Sequence, residues 1–380
     1  MNIIEEIGGL VVSMTKKPNT IENDPQKKTA AAKAAPSKKV EEPAPEVKHH
    51  GANQLSSGTK HSMKMRILSA IVMVIVIIPA IFLGDWIYFA LMTFALGVAC
   101  WEILGCANKR LPAIFIVYFF FVALITYWPI FKTMLSDGLQ ATRIDTYFTS
   151  IYLSIIVIVI GFFLLFGLTV IYKDFSVVDA CFLIAMGILI GFGFQCLFFL
   201  RYYPASLINE KQTMYFTYDN TVKSSLLILF IILSTISTDI GAYFVGVFFG
   251  KNKMNERISP KKTWEGFVGG IIVSFLITAG VALTFAGFNH PIIPLLDLEH
   301  WYFILILAIL IPLFATLGDF VFSSIKRYWG IKDYGKLIPG HGGVLDRLDS
   351  IFFASIISAI FVFMLASITA GELDWAKLLV

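Results

Sequence analysis

Apolar runs long enough to cross a lipid bilayer recur along the chain after residue 66. A spanning helix needs about 20 predominantly apolar residues, and a helix is the required form because hydrocarbon offers no partners to backbone N–H and C=O groups. The runs of this kind cover residues 67–84, 87–105, 112–131, 149–171, 177–200, 224–249, 265–287, 301–325 and 350–370. The pattern predicts an all-α polytopic membrane protein with about nine transmembrane helices.

Residues 1–66 have a different pattern. They hold 18 of the 56 charged residues, and the stretch 15–63 is rich in Lys, Ala, Pro and Glu with few large apolar side chains. Such a stretch cannot bury enough apolar surface to offset the entropy of ordering it. We therefore expect a polar, largely disordered N-terminal tail, and a short C-terminal tail at residues 372–380.

The composition narrows the class of protein. Apolar residues make up 57% of the chain and charged residues 15%, against roughly 45–50% and about 25% in average soluble domains. A chain of 380 residues with so little charge needs a nonaqueous environment for much of its surface. This excludes an ordinary soluble enzyme and a wholly disordered chain, and we expect the lipid bilayer, with no nucleic acid, as the surrounding partner.

The distribution of Lys and Arg predicts the orientation in the membrane. Nine crossings place the N-terminal tail and the loops after helices 2, 4, 6 and 8 on one side, and this side carries 24 of the 30 Lys and Arg residues. Cytoplasmic segments of membrane proteins carry such an excess. We expect a multi-pass protein with its N-terminus in the cytoplasm and its C-terminus outside.

Four aspartates are candidates for chemistry. Asp239 and Asp319 lie within apolar helices, and a carboxylate in hydrocarbon is so costly that it usually faces a polar cavity with a function. Asp346 and Asp349 are three residues apart and share one face of a helix that begins near Gly343. Together with Asp319 they would supply hard oxygen ligands suited to Mg²⁺. The alternative is that Asp346 and Asp349 cap the last helix and match its dipole.

Two loops on the predicted cytoplasmic side combine cations with Gly and Ser. The run from Gly340 to Gly343, followed by a helix, is a candidate phosphate cradle because glycine lets backbone N–H groups approach an anion. Lys and Arg neutralise phosphate. Either loop alone would be interpreted as a positively charged loop with ordinary turn glycines, and the acidic residues nearby favour a site. The cations are Lys261, Lys262, Lys326, Arg327, Lys332 and Arg347.

The second loop is similar to the signature of phosphatidate cytidylyltransferases (CDP-diacylglycerol synthases). In this chain the signature reads Ser323-Ser-Ile-Lys-Arg327, Lys332-Asp-Tyr-Gly335 and Ile338-Pro-Gly-His-Gly-Gly-Val-Leu-Asp-Arg-Leu-Asp349, with no departure over 27 positions. A second family stretch resembles Asp239-Ile-Gly-Ala-Tyr243 and Ser259-Pro-Lys-Lys-Thr-Trp-Glu-Gly266. The resemblance is strong over residues 224–350. We expect a catalytic region at 224–371, helices 6–9, after N-terminal helices 1–5 at 67–223.

The resemblance implies a reaction in which CTP and phosphatidic acid give CDP-diacylglycerol and pyrophosphate. It implies Mg²⁺, with a second cation left open, held by Asp319, Asp346 and Asp349. Lys326, Arg327 and His341 are the further catalytic residues that it implies, with His341 as a donor to phosphate in preference to a base. The substrate-binding residues implied are Asp239, Ser259, Lys261, Lys262, Thr263, Lys332, Asp333, Gly342, Gly343 and Arg347. A homodimer in a bacterial cell membrane is also implied.

Two other classes of protein share part of this pattern. An ion-coupled transporter also carries intramembrane aspartates and glycine-interrupted helices. Its charged groups lie at the bilayer midplane, whereas these motifs lie at one membrane face, and the chain has no convincing internal repeat. Another membrane phosphotransferase or nucleotidyltransferase would share the hydropathy and the aspartates, so only the signature argues against it.

Overall fold

The apolar runs of the sequence correspond to helices in the computed structural model, which describes residues 57–137, 144–202, 218–288, 290–292 and 296–369. The helices in these ranges are α1 (Ser57–Leu83), α2 (Asp85–Cys106), α3 (Pro112–Asp137), α4 (Ile144–Ile171), α5 (Val177–Tyr202), α6 (Tyr218–Phe249), α7 (Trp264–Gly287), α8 (Trp301–Tyr328) and α9 (Leu345–Thr369). Seven of them are long and apolar enough over their described residues to cross a membrane. The all-α polytopic membrane fold is therefore confirmed.

The two helices outside this set of seven are α3 and α4. Their apolar described portions are shorter, Pro112–Trp128 and Ile155–Ile171. Both pack against α5, so they belong to the same bundle as the longer helices. Most of the predicted polar tail, residues 1–56, lies outside the described residues, as does the predicted C-terminal tail.

Several helix ends differ from the predicted ones. The first helix begins at Ser57, so residues 57–66, assigned to the polar tail, form its first turns. The last helix begins at Leu345, close to the start near Gly343 expected from Asp346 and Asp349 and five residues before its apolar run. In both cases polar residues extend a helix beyond its apolar run, because a helix can continue into water where the hydropathy pattern gives no sign of it.

A β-hairpin interrupts the helices, which the apolar pattern did not predict. Strands β1 (Lys253–Asn255) and β2 (Ser259–Thr263) are antiparallel, with Asn255 opposite Ser259. The Asn255 side chain accepts hydrogen bonds from the backbone N–H groups of Arg257 and Ile258 at 3.1 and 3.2 Å. An asparagine that bonds the backbone ahead of it favours a tight turn, so the hairpin is a local structure between α6 and α7.

Close packing of α6 on α7 places this hairpin. At Gly266 an added Cβ would lie 2.7 Å from the Ala242 carbonyl oxygen, and at Gly270 it would lie 2.8 Å from that of Thr238. Ser234 and Ser274 also join the two helices through their hydroxyl oxygens, 3.0 Å apart. Small residues let helix backbones approach in this way in membranes. The start of α7, and with it β2, is thereby held against α6.

Buried apolar residues form two clusters. One contains residues of α6, α7, α8 and α9, together with a few residues of α1, α2 and α5. The other packs α2, α3, α4 and α5 against Phe322 of α8, the start of α9 at Leu345, and Tyr334 in the loop between them. The segment between α8 and α9, residues 329–344, carries most of the signature and is called the signature loop. It is therefore supported from one side by the N-terminal helices. Helix α9 contributes residues to both clusters.

Candidate active site

The hairpin places Lys262 against α8. The Nζ atom of Lys262 donates to the carboxylate of Asp319, and Ser323, one turn further along α8, donates to the other carboxylate oxygen at 3.1 Å. The same ammonium group lies 4.4 Å from the ring centre of Phe320. The side chains of Lys262 and Asp319 are 29% and 25% exposed, so this ion pair is accessible from outside the bundle.

Helix α7 and the end of α6 anchor the hairpin. Thr263 caps α7 by accepting a hydrogen bond from Gly266 N at 3.1 Å, and its side chain is buried. Glu265 accepts from the backbone N–H groups of Lys251 and Asn252, each at 3.1 Å. The Thr263 hydroxyl is therefore engaged as a helix cap, and the substrate-binding role expected of Thr263 stays a prediction.

Three aspartates from three helices lie within electrostatic range of one another. The carboxylates of Asp239 on α6, Asp319 on α8 and Asp349 on α9 repel one another electrostatically, and Arg347 attracts Asp239. Helices α8 and α9 are in close contact here, since a Cβ at Gly318 would lie 2.6 Å from the Asp349 carbonyl oxygen. The structure thus brings together two of the three predicted metal ligands, Asp319 and Asp349, with Asp239 beside them.

Asp346 has a different environment. Its Oδ1 atom accepts from Lys326 Nζ at 2.9 Å, and its Oδ2 atom accepts from the backbone N–H groups of Tyr334 and Gly343 at 2.8 and 2.9 Å. The side chains of Lys326 and Asp346 are 10% and 4% exposed. The pair is buried and engaged in holding the loop before α9, and the metal-ligand role expected of Asp346 and the catalytic role expected of Lys326 stay predictions.

Glu102 is a site residue that the sequence reading missed. It is 3% exposed on α2, and its two oxygens accept from the backbone N–H groups of Val344 and Leu345, each at 2.9 Å. A Cβ on Gly335 or Gly343 would lie 2.3 Å from Glu102 Oε1. A carboxylate within an apolar helix was the signal that selected Asp239 and Asp319, and the same signal applied to Glu102.

The glycine run before α9 forms a tight turn. Gly340 and Gly342 have φ values of 77° and 88°, which only glycine adopts readily. Ile338 N donates to the Gly342 carbonyl at 2.9 Å, and Gly342 N donates to the Ile338 carbonyl at 3.1 Å. Gly343 N donates to Asp346. The N–H groups of Gly342 and Gly343 thus have acceptors within the protein, and the phosphate cradle expected at this run stays a prediction.

His341 connects this turn to α1. Its Nδ1 atom is 2.8 Å from the hydroxyl oxygen of Ser69, and this oxygen also lies 2.9 Å from the Pro339 carbonyl oxygen. Partial burial, and then the positive charges of Arg347 and Arg66, lower the pKa of His341 below its usual value. The side chain therefore favours the neutral form.

The remaining predicted residues surround the Lys262–Asp319 pair or extend into water. Arg327 is exposed and donates to the carbonyl groups of Ile258 and Ile331 at 3.2 and 3.1 Å, so it joins the hairpin to the signature loop. Ser259 is partly buried in β2. The predicted substrate-binding residues that the structure leaves exposed are Lys261, Lys332, Asp333 and Arg347.

The donor set fits a divalent cation bound together with phosphate. In the part of the chain that the structure describes, no three His, Cys, Asp or Glu side chains are grouped to hold a metal ion by themselves. Mg²⁺ is usually held by one or two carboxylates with substrate phosphates completing its shell. Asp319 and Asp349 supply two such carboxylates from adjacent helices.

The chain is similar to known proteins over most of its length. The model of the cytidylyltransferase family matches residues 64–365. A phosphatidate cytidylyltransferase of Staphylococcus saprophyticus is 32% identical over 292 residues, which cover 77% of this chain and 95% of the relative. The enzyme of the same name from Staphylococcus epidermidis is 32% identical over 293 residues, with the same shares. One from Staphylococcus aureus is 34% identical over 192 residues, covering 50% of this chain and 62% of the relative.

Proposed function

The chain belongs to the cytidylyltransferase family, and on that premise we propose that it is a phosphatidate cytidylyltransferase. It transfers the CMP group of CTP to phosphatidic acid, giving CDP-diacylglycerol and pyrophosphate. The observation that carries the proposal is the accessible Lys262–Asp319 pair beside Asp239 and Asp349. A cation from a hairpin outside the bundle and carboxylates from three helices suit a triphosphate and its metal ion.

The reaction requires positioning and charge neutralisation more than covalent chemistry. An oxygen of the lipid phosphate attacks the α-phosphorus of CTP, and the new P–O bond forms as the bond to the β-phosphate oxygen breaks. The electron pair of that bond leaves with pyrophosphate. Lys262 would move from Asp319 to the triphosphate, and the exposed Lys261, Lys332 and Arg347 would neutralise the remaining charge. The attacking phosphate is already an anion, so His341 is needed as a donor and not as a base.

Asp319 and Asp349 would hold Mg²⁺, with Asp239 lining the same polar cavity or holding a second cation. When bound, the ion would supply Lewis-acid chemistry to the phosphates. In this assignment Asp346 does not bind the metal ion itself but positions a residue that does. Together with Lys326 and the N–H group of Gly343, it holds the loop that leads into α9 and so fixes the position of Asp349.

The proposed orientation follows the Lys and Arg distribution. The N-terminus lies in the cytoplasm and the C-terminus outside, so the hairpin and the signature loop open to the compartment that supplies CTP. Phosphatidic acid enters sideways from the inner leaflet. The bacterial relatives support a bacterial cell membrane as the location. The homodimer expected from the sequence stays a prediction.

Product identification tests the function. The purified protein is incubated in detergent with α-labelled CTP and phosphatidic acid, with and without Mg²⁺, and labelled lipid is separated by chromatography. We expect labelled CDP-diacylglycerol that depends on Mg²⁺, and a loss of about 100-fold or more in Asp349→Asn. Asp174→Asn, an exposed carboxylate in the turn after α4, is the matched control and should keep wild-type turnover.

Each alternative class gives a different result in this assay. A transporter yields no labelled lipid, and a phosphotransferase of another specificity leaves CTP unused. Near-normal turnover in Asp349→Asn would contradict the metal assignment while leaving the reaction itself standing.

A further inference from the structure

A cavity lies beside Glu102, between α2, α3 and the loop that leads into α9. It has a volume of about 660 Å³ and is lined by residues of α2 and α3 and by three residues of the signature loop, Gly335, Lys336 and Leu337. Cavities of about 300–1,000 Å³ are the usual size of small-ligand sites. We call this cavity the α2–α3 groove. The reaction proposed above does not use it.

The walls of the groove are aromatic. Phe94 and Trp101 lie seven residues apart on one face of α2 and are 61% and 42% exposed. Phe115 and Phe119 of α3 complete the wall, with the ring of Phe115 packed edge-on against Trp101 at 5.6 Å between centres. Exposed aromatic rings on a membrane-spanning helix face lipid chains, so the groove is an apolar channel open to the bilayer.

The length of the groove matches one leaflet. It extends along α2 from Thr93 to Glu102, which is about 13 Å at the rise of an α-helix. Half of a hydrocarbon core of about 30 Å is about 15 Å. One acyl chain therefore spans the groove from the proposed cytoplasmic end toward the bilayer midplane.

Two cations lie at the polar end of the groove. Arg110 reaches back over α2, with its guanidinium carbon 5.2 Å from the ring centre of Trp101. This position requires glycine at 105, where an added Cβ would lie 2.2 Å from the guanidinium nitrogen. Lys336 is the second cation and is exposed. The neighbouring Lys109 points elsewhere and forms an ion pair with Asp179 at 3.3 Å.

Glu102 contributes a negative charge to the same lining, but both of its oxygens are bound by the N–H groups at the start of α9. The end of the groove therefore has two cations against one engaged carboxylate. A net positive rim above an apolar channel complements a lipid with an anionic headgroup.

The groove is separate from the reacting groups. No residue of α6, α7, α8 or the hairpin lines it, whereas the Lys262–Asp319 pair lies between the hairpin and α8. The contact of Glu102 with Val344 and Leu345 stands at the boundary of the two regions. A lipid phosphate at Arg110 and Lys336 would therefore lie among groups other than those proposed to meet the triphosphate.

We propose that the α2–α3 groove binds an anionic phospholipid of the surrounding leaflet, with an acyl chain along Phe94 and Trp101 and its phosphodiester at Arg110 and Lys336. The bound lipid supports the signature loop from the side opposite to the nucleotide. The site does not depend on the identity of the reaction, so it stands or fails separately from the proposed function.

Tryptophan quenching tests the site directly. The protein is placed in phosphatidylcholine vesicles that contain increasing fractions of bromine-labelled phosphatidylglycerol, bromine-labelled phosphatidylcholine or bromine-labelled phosphatidic acid, with no CTP present. The difference between wild type and Trp101→Phe isolates the signal of Trp101. We expect half-quenching of this signal at a fraction of phosphatidylglycerol roughly fivefold or more below that of phosphatidylcholine, the effect of about one net cation near an anionic lipid.

The variants decide the headgroup assignment. Arg110→Gln combined with Lys336→Gln should bring the two half-quenching fractions together, while the control pair Lys173→Gln and Lys251→Gln keeps the preference. Equal quenching by both lipids in wild type, or a preference that survives in Arg110→Gln with Lys336→Gln, would overturn the proposal. Quenching by phosphatidic acid alone would assign the groove to the substrate and would also overturn it.

Discussion

Two Lys–Asp pairs lie within two turns of α8, and they differ in their surroundings. Asp319 and Lys326 are seven residues apart on this helix; the first pairs with Lys262 of the hairpin and the second with Asp346 of α9. The side chains of the first pair are about a quarter exposed, and those of the second are 10% and 4% exposed. Asp346 also accepts two backbone N–H groups, whereas Asp319 accepts one further hydrogen bond, from Ser323.

The difference in exposure indicates that the two pairs have different roles. A buried and fully hydrogen-bonded ion pair specifies local structure, and removing one partner leaves an uncompensated charge inside the protein. An accessible pair can exchange its partners for a ligand at little cost in stability. We therefore assign the Lys326–Asp346 pair to the architecture of the loop and the Lys262–Asp319 pair to the substrate.

The largest effect is expected from breaking the buried pair. Lys326→Met leaves Asp346 without its cation and should lower the free energy of unfolding by about 3–5 kcal/mol. Lys332→Met removes an exposed cation of the same loop and is the matched control, with little change expected. Unfolding by denaturant in detergent measures both. Equal stability of the two variants would show that the buried pair does not hold the loop.

A somewhat smaller effect is expected at Glu102. Glu102→Ala leaves the N–H groups of Val344 and Leu345 buried without an acceptor, at a cost of about 1–3 kcal/mol each, and turnover should fall because α9 carries Asp349. Glu102→Gln keeps one acceptor oxygen and should recover part of both losses. If Glu102→Ala matched wild type in unfolding and turnover, the assignment of Glu102 as a positioning residue would be wrong.

The accessible pair should respond in substrate affinity. Lys262→Ala should raise the CTP concentration for half-maximal rate roughly tenfold, because a charged hydrogen bond to phosphate is lost, with unfolding unchanged. Lys261→Ala, the neighbour that points away from Asp319 on the strand, should raise it less. Steady-state kinetics with CTP as the varied substrate measures both. An equal effect at the two positions would remove the special role of Lys262.

The smallest effect concerns His341 and pH. Its pKa is lowered in the folded protein, so its contribution to stability is fully present above its ordinary value of about 6.5 and is lost as pH falls through the lower folded value. Wild type should therefore lose more stability than His341→Asn on acidification below about pH 6.5. His290→Asn, an exposed histidine after α7, should keep the wild-type dependence. Parallel unfolding curves for wild type and His341→Asn would contradict this account.

The sequence predicts the helices well because the bilayer imposes their length. Apolar runs of about 20 residues have one stable form in hydrocarbon, so α1 to α9 follow from hydropathy, apart from their polar ends. The hairpin was missed because it lies in water, where hydropathy gives no constraint. Its turn chemistry at Asn255 was the available signal.

The site was predicted in composition but not in its pairings. A carboxylate in hydrocarbon is costly, and this rule selected Asp239 and Asp319, which lie within electrostatic range of each other. The partner of Asp346 depends on how a loop folds between α8 and α9, and that of Glu102 on a contact across 242 positions. The local sequence pattern contains no information about either of these two pairings. A carboxylate that holds the structure and a carboxylate that binds a ligand therefore look alike in the sequence.

The division between the two pairs is tested most directly by comparing Asp319→Asn with Asp346→Asn. Unfolding midpoint and turnover with CTP and phosphatidic acid are measured on the same preparations. The account predicts that Asp319→Asn loses about 100-fold or more in turnover at an unchanged midpoint, while Asp346→Asn lowers the midpoint clearly. Near-normal turnover in Asp319→Asn, or an equal fall in midpoint for both variants, would contradict it.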